Sequence, residues 1–442
     1  MKNYSVSHIT KNIQADISLP SSKSISNRAL ILNHFYELNI DLQNLSEADD
    51  TAIMLNALKQ NAGIINLKNA GTCMRFLTAY FACKENCEVE LHGDERMQKR
   101  PIKILVDALK ELGADITYLN EEGFPPLKIK GKKLSGGTIS INADISSQFI
   151  SALMLVAPSF ESGLNIKLNG EIFSHSYIEM TAKLMIKFGF DVSFNGSELA
   201  IIKSSNHQII HSLTHSLTHS FTVEPDWSAA SYWYEIAALS NSCNILLKGL
   251  HTESLQGDEI ISDLMNDFGV ETIHHDEGIL LQKNHQIIKT NVTSSDLEKH
   301  QINLASTPDL LPALAVTAAV KNSSAKFTGL KNLRIKESDR LNALETELKK
   351  CGFDVMIEKD TLKINPVFNF QFSSFNFNTY NDHRMAMAFA PLALIFDKVE
   401  VENADVVEKS YPQFWNDLKQ AGFEISLANK INQLFSIENL II

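Results

Sequence analysis

At 442 residues the chain is too long for one ordinary hydrophobic core, so two domains are expected. Its 44% hydrophobic and 21% charged residues are ordinary for a globular protein, and its formal net charge of −12 argues against general nucleic-acid binding. No apolar run reaches membrane-spanning length, and the N-terminal MKNYSVSHITKN has no apolar signal core, so a cytoplasmic protein without a membrane partner is expected.

In chain order, the first notable stretch is LPSSKSISNRALIL, Leu19–Leu32. Ser24 or Ser26 could cap a helix carrying Ala29, Leu30 and Leu32. Free N–H groups at that helix start, with Lys23 and Arg28 beside them, suit a phosphate or carboxylate. In NAGTCMR (Asn69–Arg75), Gly71 lets backbone approach a ligand closely, while Asn69, Thr72 and Arg75 supply polar contacts. Cys83 and Cys87 stand four apart, a metal-like spacing with no second pair; the five cysteines form no disulfide framework. GDERMQKRPI (Gly93–Ile102) gathers Arg96, Lys99 and Arg100 ahead of a helix that Pro101 opens. SSQF (Ser146–Phe149) reads as a neutral cap before an apolar helix.

HSLTHSLTHSFT (His211–Thr222) repeats a four-residue unit. It is a local tandem expansion, or a metal site if a helix aligns His211, His215 and His219. NLRIKESDRL (Asn332–Leu341) mixes Arg334, Lys336 and Arg340 with Glu337 and Asp339. Ser338 or Asp339 could cap the helix whose face carries Leu341, Leu344 and Leu348. A carboxylate among cations stays ionised unless burial tunes it for proton transfer. FNFQFSSFNFNTY (Phe368–Tyr380) alternates like a strand. YNDHRMAMAFAPLAL (Tyr380–Leu394) sets Asp382, His383 and Arg384 before a wholly apolar, hence buried, helix, which puts the triplet at a cleft. Each cluster alone could be a solvated helix start. Together, several cationic helix starts in an acidic chain fit small, multiply anionic ligands.

A longer pattern underlies these. Helix–Gly–strand segments recur at Leu58–Ile65, Leu109–Ile116, Leu184–Val192, Leu264–Thr272, Leu348–Val355 and Leu418–Ile425. Their glycines (Gly63, Gly113, Gly189, Gly269, Gly352 and Gly422) lie 50, 76, 80, 83 and 70 residues apart. That predicts about six α/β units, one of them short.

In this order, SKSISNRAL, NAGTCMR, GDERMQKRPI, SSQF, RIKESDRL and YNDHRMAM resemble the signatures of the EPSP synthase family, the 3-phosphoshikimate 1-carboxyvinyltransferases, from about Leu19 to Trp415. The resemblance implies transfer of the enolpyruvyl group of phosphoenolpyruvate (PEP) to the 5-hydroxyl of shikimate 3-phosphate, with no metal or organic cofactor. It implies a two-domain inside-out α/β barrel of six βαβαββ-type repeats, three per domain, and a monomer. Residues 1–20 and 225–442 would form the first domain and 21–224 the second, with crossings near Pro20 and Val223–Trp233 and the ligands between them.

Carried over residue by residue, the resemblance gives shikimate 3-phosphate to Ser24, Arg28, Ser146, Ser147, Ser174, Tyr177, Asn332 and Lys336. It gives PEP to Gly71, Arg100, Arg340, Arg384 and Lys409, with Asn69, Thr72 and His383 nearby. Lys23 would be catalytic and touch both substrates, Asp309 would also contact shikimate 3-phosphate, and Gln148 would lie between the substrates. Asp309, in STPDLLPALAV, would accept the 5-hydroxyl proton, and Glu337 would protonate the PEP methylene to give a tetrahedral intermediate.

Two departures stand out. The span from Asp50 to Asn69 is short, so the first unit of the second domain should lack a strand or a hairpin. Lys68 and Phe76 replace the usual Gly and Pro around NAGTCMR, whereas Gly71, which leaves room for glyphosate, is kept. The rival readings are the sister enzyme that acts on UDP-N-acetylglucosamine, which usually uses a loop cysteine absent from GDERMQKRPI, and a non-catalytic anion-binding protein on the same scaffold.

Overall fold

A computed structural model of the chain describes residues 2–142, 146–203, 220–284, 301–367 and 374–428. The fold is mixed α/β. Five four-stranded sheets share one plan. In one of them, Ala62–Asn66 and Glu88–His92 pair in parallel, with helix Gly71–Cys83 between them in the chain. Leu127–Lys130 then pairs antiparallel with Glu88–His92, and Asp115–Tyr118 closes the edge. In another, the N-terminal strand Tyr4–Ser7 is inserted between Val399–Val401 and Glu424–Leu427, so the two ends of the described chain share a sheet.

The sixth sheet has two described strands, Asp41–Gln43 and Ser220–Thr222, paired in parallel. Helix Asp49–Leu58 is followed directly by strand Ala62–Asn66, with no hairpin between. This is where the short span from Asp50 to Asn69 predicts a missing element. Residues 211–219 of the histidine repeat and 368–373 of the phenylalanine-rich run lie outside the described residues. Ser220–Thr222 and Phe375–Phe377, the described ends of those segments, are strands.

The layering follows from the sequence pattern. Strand Asn12–Ser18 alternates exposed and buried residues, so it has one wet face. Helix Trp227–Leu239 is buried along its whole length, as is Leu311–Ala319 of helix Leu311–Val320. Helices apolar all round belong inside, and sheets with one polar face belong outside. Two apolar clusters result. One draws on residues 6–19 and 227–423. The other runs from Ile25 to Val223. The connecting segments run side by side: Ser22 N donates to Glu224 O at 2.9 Å and Asp226 N to Pro20 O at 2.8 Å.

Local signals fare unevenly. Gly113, Gly189, Gly269, Gly352 and Gly422 all follow helix ends at positive φ. Gly63 instead lies within a strand. Asp339 and Ser146 cap their helices. The first helix, Lys23–Phe35, is capped by Ser22, not by Ser24 or Ser26. Helix Lys103–Glu111 starts after Ile102, so Pro101 precedes the cap. Cys83 and Cys87 are buried, and burial pushes both thiols up, as for ordinary core residues. No helix among the described residues is long and apolar enough to cross a membrane.

Candidate active site

Between the two clusters lies an open cleft. Seven lysine or arginine side chains line it against three carboxylates, an excess of four positive charges in a chain of net charge −12. Of the predicted site residues, all but Asn69 and Lys409 line it. Those two stand at its edge, where Lys409 Nζ donates to Asn69 O at 2.9 Å and meets Glu337 Oε1 at 3.1 Å.

One wall comes from residues 23–187. Arg28 is 2% exposed. Its Nε donates to Thr181 Oγ1 at 2.7 Å, one terminal nitrogen to Ser24 O at 2.9 Å and the other to Ser151 Oγ at 3.2 Å. All three partners are neutral. Burial lowers its pKa to about 10, so it is charged at neutral pH. Arg100 is buried beneath Gly71, and its Nε and one terminal nitrogen lack a partner among the described residues. A Cβ on residue 71 would stand 2.5 Å from that guanidinium, so glycine here seats Arg100. Arg75 donates to the carbonyls of Gly71 and Pro101. Lys23 pairs with Asp50 at 3.0 Å. Gln148 Nε2 donates to Thr72 Oγ1 at 3.2 Å, bridging two helix starts. Ser174, buried at φ +57°, opens helix His175–Lys187 in a left-handed conformation unusual for serine.

The other wall comes from residues 309–409. Arg340, 1% exposed, reaches three carboxylates: Asp309 at 2.8 Å, Glu337 at 3.0 Å and Asp382 at 2.7 Å. Asp309 also meets Arg384 at 3.0 Å and Lys336 at 3.6 Å, and accepts from the Tyr177 hydroxyl at 2.8 Å. Burial pushes the Asp309 carboxyl up, but Arg384, Lys336 and Arg340 together hold it well below the usual range. Glu337 is held down in the same way, burial being outweighed by Lys409, Arg340 and Arg100. Burial, with Lys23 and Arg384 nearby, pushes the His383 imidazole well below its usual value and keeps it neutral. Asn332 is buried beside Lys336 on the same wall.

The walls touch at several points. Ser174 N donates to Ala305 O at 2.5 Å, and Ser176 Oγ to Ser306 O at 2.6 Å. Arg96 donates to the carbonyls of Lys336 and Glu337.

The residue-by-residue assignment from sequence leaves out Asp50, Arg75, Arg96 and Asp382. Three of them stand inside or beside the quoted motifs, but only the folded chain brings Asp50 to Lys23 and Asp382 to Arg340. Chemically, the cleft can hold two anions and offers two carboxylates whose protonation those anions would change.

The family described as EPSP synthase (3-phosphoshikimate 1-carboxyvinyltransferase) matches residues 7–61 and 60–418. A 3-phosphoshikimate 1-carboxyvinyltransferase of Bacteroides fragilis strain YCH46 is 43% identical over 428 residues, spanning 95% of this chain and 98% of the relative. That of Pasteurella multocida strain Pm70 is 36% identical over 436 residues, spanning 91% and 94%. A solved EPSP synthase from Acinetobacter baumannii has the same fold, with TM-score 0.72 at 20% identity over 96% of this chain and 100% of that one.

Proposed function

The chain belongs to the EPSP synthase family, and on that premise we propose how its residues carry the reaction. The reaction is enolpyruvyl transfer in the shikimate pathway: PEP and shikimate 3-phosphate give 5-enolpyruvylshikimate 3-phosphate and phosphate. The observation that carries the residue assignment is the cleft itself, with its positive excess surrounding Asp309 and Glu337.

Shikimate 3-phosphate lies against Arg28, Ser24, Ser146, Ser147, Ser174 and Tyr177, with Asn332 and Lys336 from the facing wall. Arg28 favours this reading because it is a buried cation with only neutral partners, which an incoming phosphate would compensate. PEP lies against Arg100, Arg340, Arg384 and Lys409, near Lys23, Asn69, Gly71, Thr72 and His383, and Gln148 separates the two substrates. The unpartnered Arg100 nitrogens support that side.

Asp309, ionised and wedged among Arg340, Arg384 and Lys336, accepts the 5-hydroxyl proton as that oxygen attacks C2 of PEP. Glu337 delivers a proton to the methylene carbon, and a tetrahedral intermediate forms. To do so Glu337 must first be protonated. PEP supplies the means: its anionic groups draw Arg340 and Lys409 away, and the carboxyl rises toward protonation. Phosphate then leaves with the proton that Asp309 took up, and the new methyl group returns a proton to Glu337 as the enol double bond is restored. The cations offset the charge of the leaving phosphate.

The same reading takes the two apolar clusters as two domains, with the boundary at the paired crossings 20–22 and 224–226. It takes each domain as three sheets around enclosed helices, with the unit containing Asp41–Gln43 shortened. A monomer in the cytoplasm, needing no cofactor, completes it.

The test is phosphate release from PEP in chelator-treated buffer, with shikimate 3-phosphate or UDP-N-acetylglucosamine as acceptor. Release with shikimate 3-phosphate alone is expected. Release with the nucleotide sugar alone, or with neither, would overturn the assignment. Glyphosate is expected to compete with PEP; activity that persists when glyphosate is well in excess of PEP would refute that part.

A further inference from the structure

The segment carrying Glu337 is a bend between two helical pieces, the turn Lys331–Ile335 and the helix Arg340–Lys350. Neither helix fixes the direction of the Glu337 side chain. Two groups from its own wall hold the carboxylate: Arg340 at 3.0 Å and Lys409 at 3.1 Å. The backbone on either side is held from across the cleft. Arg96 Nη2 donates to Lys336 O at 2.9 Å and Nε to Glu337 O at 3.2 Å. A planar guanidinium can grip two consecutive carbonyls at once and so set the tilt of the peptide between them.

The loop that presents Arg96 is itself fixed. Asp94 Oδ1 accepts from Met97 N at 2.8 Å, and Asp94 N donates to Lys68 O at 3.0 Å. Gly93 leaves the space that the Met97 side chain fills, since a Cβ there would stand 2.5 Å from it. The same short loop ends in Arg100, aimed into the cleft under Gly71. One rigid loop thus places one arginine on the proposed PEP site and another on the bend that carries Glu337.

We propose that Arg96 is a positioning residue for enolpyruvyl transfer, clamping the Lys336 and Glu337 carbonyls so that the Glu337 carboxyl is aimed only when the two walls are docked. This rests on the reading of Glu337 as the proton donor. Arg96 touches no reacting atom; it acts through Glu337.

The test compares Arg96→Met, Arg96→Lys and Glu337→Gln in the full-length protein, with steady-state kinetics in both substrates and thermal unfolding as a folding check. A misaimed catalytic group costs about 10²-fold. Arg96→Met is therefore expected to lower kcat by about that factor, leave KM for shikimate 3-phosphate little changed, and regain activity with sub-denaturing guanidinium ion. Arg96→Lys, which keeps the charge but not the planar fork, should fall between. If Arg96→Met does not fold, the kcat-against-KM split of Arg96→Lys decides. Unchanged kcat in a folded variant, a loss confined to KM, or a lost kcat that guanidinium does not restore would overturn the inference. If Glu337→Gln keeps wild-type kcat, the donor reading itself fails. If Glu337→Gln is inactive while Arg96→Met is not, only the role of Arg96 fails.

Discussion

The two walls of the cleft solve the same electrostatic problem in opposite ways. On the 23–187 wall, Arg28 and Arg75 rest on hydroxyls, carbonyls and a thioether, and two Arg100 nitrogens have no partner among the described residues. Of the cations that line the cleft on this side, only Lys23 pairs with a carboxylate among the described residues, Asp50. On the 309–409 wall the cleft cations are already paired: Arg340, Arg384, Lys336 and Lys409 all face Asp309, Glu337 or Asp382, four cations sharing three carboxylates. A buried cation without a counter-charge is costly, so the first wall is poised for an anion. On the proposed reading the second exchanges partners when an anion arrives, and that exchange would change the protonation of its carboxylates. On that reading, the first wall serves binding, and the second adds the proton-transfer chemistry to its share of the binding.

The largest effect expected from this contrast is at Glu337. Glu337→Gln keeps the shape and the Arg340 contact but removes the proton, so kcat should fall about 10²- to 10⁴-fold. Shikimate 3-phosphate affinity measured by calorimetry should be unchanged. A comparable loss of that affinity would erase the division between the walls. Next, Arg28→Met should weaken shikimate 3-phosphate binding by about 10²-fold or more while leaving PEP binding to the enzyme loaded with shikimate 3-phosphate nearly intact. A smaller and opposite split is expected of Gly71→Ala. Its methyl displaces the Arg100 guanidinium, raising KM for PEP by about tenfold, with shikimate 3-phosphate affinity retained; equal effects on both substrates would contradict the placement of Arg100.

The smallest effect lies behind the cleft, at Asp258. It accepts a hydrogen bond from Ser228 Oγ, and burial together with Asp309 raises its pKa to about 7. A carboxyl raised in the fold binds its proton more tightly there than in the unfolded chain, whose value is about 3.9. Stability from that proton is therefore full below about pH 4 and is lost as pH rises toward about 7. Asp258→Asn avoids the loss. The melting temperature of wild type minus variant should fall across that window and level off above it; a flat difference would remove Asp258 from the account.

Much of this is legible in the sequence because it is local. Asp339 and Ser146 are caps three residues or fewer from the N–H groups they meet, and the glycines after helices mark turns that few other residues tolerate. The apolar helix after His383 announces its own burial. What stays hidden is what tertiary structure alone decides. Lys23 and Asp50 are 27 residues apart, and Arg340 and Asp382 are 42 apart. A run of serines offers several capping candidates for the first helix, and only the crossing at Glu224 fixes Ser22 as the one that starts it. The Arg96 clamp joins groups 240 and 241 residues apart through backbone carbonyls, which carry no residue-type signal at all.

The division of labour between the walls is most directly tested by counting protons. Glyphosate would be titrated into the protein loaded with shikimate 3-phosphate by calorimetry in two buffers of different ionisation enthalpy, for wild type and Glu337→Gln. If the incoming anion draws Arg340 and Lys409 off Glu337, wild type takes up more protons than the variant. Equal proton counts would mean that Glu337 keeps its partners and its charge when the site fills, and the exchange on the second wall does not occur.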